Sequence, residues 1–102
     1  MNIIERVRID ILFKYYGKML TGKQQQIMAM YIDNNLSLAE VSEELNISRQ
    51  AVKDAVDNSI AALNNMEEKL GFIARDEKLR HEITNIVIDE NIKMQLINLL
   101  ED

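Results

Sequence analysis

The sequence predicts an all-α fold: a helical bundle containing a helix-turn-helix, with a long fourth helix and one or two C-terminal helices. Three observations predict it. The 102 residues include no Pro and only three Gly, while Leu, Ile, Ala, Glu, Lys, Gln and Met are abundant. Apolar residues recur at steps of three and four along most of the chain. Thr21, Ser37 and Ser48 each stand where a helix N-cap is needed and cut that pattern into helix-sized pieces.

The first helix carries Ile4, Val7, Ile11, Tyr15 and Met19 on one face. A second row, Ile9, Leu12, Phe13, Tyr16 and Leu20, widens the apolar stripe beyond that of a surface helix, so contact with two neighbours, inside the domain or across an oligomer interface, is expected. Thr21 with Gln24 three residues on forms a capping box that opens the second helix. This helix is expected to run to about Asp33 with Ile27, Met28, Met30 and Tyr31 inward, and Asn34-Asn35 supply its stop.

Ser37 and Glu40 form a second capping box, and Leu36 can staple onto Val41. The third helix is short, ending near Leu45, with Asn46 suited to a left-handed turn. Ile47 then precedes Ser48, the third cap, and can staple onto Val52. The fourth helix shows Val52, Val56, Ser59, Leu63, Met66 and Leu70 at alternating steps of four and three, and ends at Gly71. Twenty-two residues make it about 33 Å long, more than a small domain needs. Beyond it, Leu79, Ile83, Ile86 and Val87, then Ile92, Leu96, Leu99 and Leu100, continue helical faces. The β-branched triplet Ile86-Val87-Ile88 has no second strand to pair with, so helix is expected there, with Asp89 as the cap of a separate last helix. The chain reads as one helical domain over 1–102, with the helix-turn-helix at about 36–58 and a C-terminal helical extension over 72–102.

Composition narrows the function classes. Seventeen acidic against twelve basic residues give −5, and polyanions repel such a molecule, so nucleic-acid binding requires a local patch. With no Cys, disulfide scaffolds, thiolate zinc sites and thiol nucleophiles are excluded, which suits a cytoplasmic location. Charges interrupt the N-terminal twenty residues too often for a secretory signal, and no apolar run could insert in a membrane. Residues 1–20 sum to +2, 21–70 to −4 and 71–102 to −3.

Between Leu36 and Asn58, a short capped helix, a three-residue turn and a second capped helix must pack steeply, as in a helix-turn-helix. Val41, Leu45, Ile47, Val52 and Ala55 can be buried there, and Ser42 and Ala51 are small enough for the close approach. If the motif reads DNA, the first turn of the fourth helix enters the major groove. Ser48, Arg49, Gln50 and Lys53 are then the DNA-binding residues, with Asp54 or Asp57 nearby. Arg can pair with guanine and Gln with adenine, while Ser48 or Lys53 can reach phosphate. The same residues also make an ordinary solvated helix face, and Asp54, Asp57, Glu40, Glu43 and Glu44 repel phosphate. DNA reading and a motif kept for protein contacts both remain open.

Leu20-Thr21-Gly22-Lys23-Gln24-Gln25, Leu36-Ser37-Leu38-Ala39-Glu40-Val41 and Ser48-Arg49-Gln50-Ala51-Val52 together resemble the YlxM family of small bacterial proteins. So do Arg8-Ile9-Asp10-Ile11-Leu12-Phe13-Lys14-Tyr15-Tyr16-Gly17 and Glu67-Glu68-Lys69-Leu70; the resemblance covers about residues 5–72. It implies a helix-turn-helix similar to region 4 of bacterial sigma factors. It also implies a regulatory role linked to the signal recognition particle and its GTPases, with DNA as a partner inferred from fold. Where family members carry basic residues one turn after the Ser-Arg-Gln-Ala-Val motif, this chain has Asp57 and Asn58, which weakens phosphate contacts.

Other candidates favour structural roles. Glu40 and Glu44 lie one turn apart without a nearby His, and His81 lacks a triad or metal partner at readable spacing. Tyr15, Tyr16 and Tyr31, and Met28, Met30, Met66 and Met94, fall at core-like spacing. No phosphate loop, nucleophile elbow or zinc spacing is present, so the expectation is a binding protein with no catalytic residues, metal or cofactor. Arg6, Arg8, Lys14 and Lys18 could make a second contact to RNA or an acidic partner, or simply confer solubility. The two-faced first helix and overlong fourth helix carry more apolar stripe than one monomer easily covers, so a homodimer is expected.

Overall fold

The computed structural model describes residues 1–86 and 89–101. Among them there are six α-helices and no strand: α1 Ile3–Tyr16, α2 Gly22–Met28, α3 Leu38–Leu45, α4 Arg49–Leu70, α5 Phe72–Ile86 and α6 Glu90–Leu100. The expected helical continuation through Val87 and Ile88 lies outside the described residues. No described helix is long and apolar enough to cross a membrane. The chain divides into two compact units, Met1–Leu70 and Gly71–Asp102.

In the first unit α4 is the element on which α1, α2 and α3 all pack. Its heptad-like seam explains this: Val52, Val56, Ser59 and Leu63 are buried, Met66 is half-buried and Leu70 is exposed. The hydroxyl of Ser59, placed among apolar neighbours, donates to the Ala55 carbonyl at 2.7 Å, which satisfies its buried polar group. Opposite the seam stand Ile9, Leu12, Tyr16 and Leu20 from the N-terminal segment, Ile27, Met28 and Ile32 from the second, and Val41 from α3. The Tyr16 hydroxyl donates to Glu67 Oε1, tying α1 to the later part of α4.

Caps set the boundaries. Thr21 with Gln24 and Ser37 with Glu40 form complete capping boxes. Asn46 ends α3 in the left-handed region (φ +53), and Gly71 follows α4 in the same region (φ +65). After Tyr16 the chain tightens into a 3₁₀ turn, Gly17–Met19. Gly17 is buried there, and a Cβ at this position would lie 2.7 Å from the Phe13 ring.

The structure shows which apolar row of α1 is core, and two further details differ from expectation. Only the second apolar row of α1 faces the core; Ile4, Val7, Tyr15 and Met19 are exposed because the core lies on the opposite side of that helix. The second helix does reach Asp33, but Ala29–Asp33 is a wider π-helical turn, closed by Asn34 N–H on the Ala29 carbonyl. The wider turn rotates the following residues, so Ile32 is buried while Met30 and Tyr31 are half-buried. Ala51 is exposed and does not mark the close approach; Ser42, buried on α3, takes that place.

In the second unit α5 packs against α6. Asp89 caps α6 by accepting the Ile92 N–H at 3.1 Å, and Glu90 pairs with Lys93 at 3.2 Å. Arg80 and Glu101 approach to 3.8 Å.

Candidate nucleic-acid interface

The helix-turn-helix consists of α3, the turn Asn46–Ser48 and the start of α4. Its geometry follows from local chemistry. Asn46 reverses the chain in a left-handed conformation, and the Ile47 N–H reaches back to the Ser42 carbonyl at 3.1 Å. Ser48 Oγ then accepts the Ala51 N–H at 3.0 Å, which starts α4. Val41 and Val52, both fully buried, lie on the core side of the two helices.

With Val52 and Val56 turned inward, Ser48, Arg49, Gln50 and Lys53 all fall on the exposed side of the first turns of α4. Their chemical states differ. The Ser48 hydroxyl oxygen is occupied by the cap, although its proton remains available to an acceptor. Arg49 has no side-chain partner among the described residues, and its guanidinium stands near the positive end of the α4 dipole. Gln50 Nε2 donates to Asp54 Oδ1 at 2.8 Å. Lys53 Nζ donates to Asp57 Oδ2 at 2.7 Å. The hydrogen bond and charge of Asp57 raise the Lys53 pKa above its ordinary 10.5, with a smaller contribution from Asp54.

The surroundings are mixed in sign. On one flank Glu40, Glu43 and Glu44 border a shallow depression beside Leu36, and Glu40 Oε1 is engaged by the Ser37 N–H. On the other, a shallow groove runs between the start of α2 and α4, lined by Thr21, Lys23, Gln24, Ile47, Ala51, Asp54, Ala55 and Asn58. Lys23 therefore joins the candidate interface, a residue that pattern reading left aside. Its position directly after a capped Gly was the available signal, since helix N-termini are where anions bind.

The four cations of the first segment separate into two pairs. Arg6 donates to the Tyr31 carbonyl (2.7 Å) and Asn35 Oδ1 (2.9 Å) and lies 5.2 Å from the Tyr31 ring centroid, so it secures the end of the second helix. Lys14 pairs with Asp10 at 3.2 Å. Arg8 and Lys18 are exposed without a side-chain partner among the described residues. His81 is exposed with Asn85 at 3.0 Å, and Tyr16 and Met28 are core residues.

Residues 3–102 match the family described as "Putative helix-turn-helix protein, YlxM / p13 like", so the match includes the C-terminal third that the short motifs did not reach. A UPF0122 protein of Mycoplasma capricolum is 35% identical over 102 residues, covering 99% of this chain and 90% of that protein. One from Halalkalibacterium halodurans is 36% identical over 98 residues, covering 93% and 90%. One from Clostridium novyi is 38% identical over 105 residues, covering 96% and 90%.

Proposed function

Because the chain belongs to this YlxM/p13-like family of helix-turn-helix proteins, we propose that it is a cytoplasmic regulatory protein that binds duplex DNA with the first turn of α4. Ser48, Arg49, Gln50 and Lys53 make the contacts, in the manner of region 4 of a sigma factor. It works by binding rather than catalysis and acts as a homodimer. The observation that carries this reading is Arg49: an exposed guanidinium at the start of the second helix of the motif, with no side-chain partner among the described residues. That is where a groove-inserted helix presents a donor pair to guanine.

A second reading has its own support. Gln50 and Lys53 are held by Asp54 and Asp57, and the α3 flank is acidic, which favours a protein partner over a phosphate backbone. In that reading the motif modulates the GTPases of the signal recognition particle pathway without reading DNA. Fluorescence anisotropy at 50 mM salt with random and genomic duplexes separates the two. Under the first reading, Arg49→Ala with Lys53→Ala weakens binding at least ~10-fold. Equal binding by wild type and the double variant removes the DNA mechanism; pull-down of a targeting GTPase by both would then support the second.

A further inference from the structure

We propose that a second copy of this chain binds through α6, the stripe Ile92, Leu96 and Leu99 packing on the same stripe of the other protomer about a two-fold axis. This interface rests on the homodimer reading above and gives it a location. Of the eleven residues of α6, six are large and apolar, yet none is buried. Ile92, Leu96 and Leu99 are 51%, 36% and 72% exposed, and their steps of four and three align them on one side of the helix. Leu79 and Ile86 of α5 and Met94 of α6 are exposed as well. Met94 lies on the far side of α6, but at about 200 Å² per large residue the three stripe residues with Leu79 and Ile86 of α5 present roughly 540 Å² per protomer, about two-thirds of the ~800 Å² per partner of a standard interface.

Charge identifies the occupant. At −5 per chain, two copies repel, and a two-fold contact sets each charge near its own image. On α6 the only charges, Glu90 and Lys93, neutralise each other, and the row Asn91, Gln95 and Asn98 beside the stripe is uncharged. The exposed apolar side of α1 differs: Arg8, one turn from Ile4, stands on it as an exposed cation without a side-chain partner among the described residues. That face suits an anionic partner, not its own copy.

Light scattering after size exclusion at tens of micromolar tests this. Wild type is expected at twice the 11.8 kDa chain mass and Leu99→Glu at the single mass with unchanged circular dichroism, dimerisation being weakened at least ~10-fold by the buried carboxylate. Val7→Glu on α1 should remain dimeric. The chain has no Cys, so Leu96→Cys at the middle of the stripe should give a disulfide-linked dimer under mild oxidation, whether or not a charge variant folds. Monomeric wild type overturns the homodimer reading itself. Dimeric wild type with a dimeric Leu99→Glu, or with no Leu96→Cys cross-link, leaves the homodimer standing and overturns the α6 interface.

Discussion

Replacing Asp57 by Asn should increase DNA binding and make it more sensitive to salt. In the free protein the Asp57 carboxylate holds Lys53 Nζ at 2.7 Å and raises its pKa, so the lysine in the first turns of α4 is already satisfied. Both side chains are more than half exposed, and exposed pairs of this kind contribute little to stability. The substitution should therefore leave the fold intact while removing a carboxylate that competes with DNA phosphate. One additional lysine–phosphate contact steepens the salt dependence by about 0.9 in log–log slope, which corresponds to an extra fall of about 3.5-fold in affinity between 50 and 200 mM salt. Anisotropy titrations across that range, with thermal melts run in parallel, give both quantities. An unchanged slope, or weaker binding by a variant whose melting is unaltered, refutes the idea that Asp57 withholds Lys53 from phosphate.

Three further outcomes are expected. An NMR titration of the Lys53 side chain should give a pKa above 10.5 that falls in Asp57→Asn; because the folded value is the raised one, the pair's small contribution is complete below 10.5 and is lost as pH climbs through the folded value. Leu63→Ala, at a fully buried seam position, should cost about 2–5 kcal/mol by urea denaturation. Gly17→Ala should cost about 1–3 kcal/mol in the same assay, since the new methyl meets the Phe13 ring and the ring must turn aside.

The helix boundaries were legible because they are decided within four residues. The boxes at Thr21 and Ser37, the Ser48 cap, the left-handed Asn46, the Gly71 stop and the Asp89 cap each close through bonds or backbone angles local to the chain. The placement of Ser48, Arg49, Gln50 and Lys53 on one exposed side was equally legible, since Val52 and Val56 could turn inward only by turning those four outward. What could not be read was the use made of each face. The spacing allowed Gln50 with Asp54 and Lys53 with Asp57, but also allowed each to stay solvated; the pairs are matters of rotamer. Lys23 joins the interface only because the start of α2 packs beside α4.

The sequence by itself therefore determined the first four helices, the caps at Thr21, Ser37, Ser48 and Asp89 and a helix-turn-helix, because capping and periodicity are properties of neighbours along the chain. Tertiary structure alone decided which apolar row of α1 is core. Ile4, Val7 and Ile11 are as hydrophobic as Ile9 and Leu12, and both rows have helical spacing. Only the docking of α1 on the α4 seam buries one row and leaves much of the other exposed, and that choice depends on contacts between residues some forty to fifty positions apart.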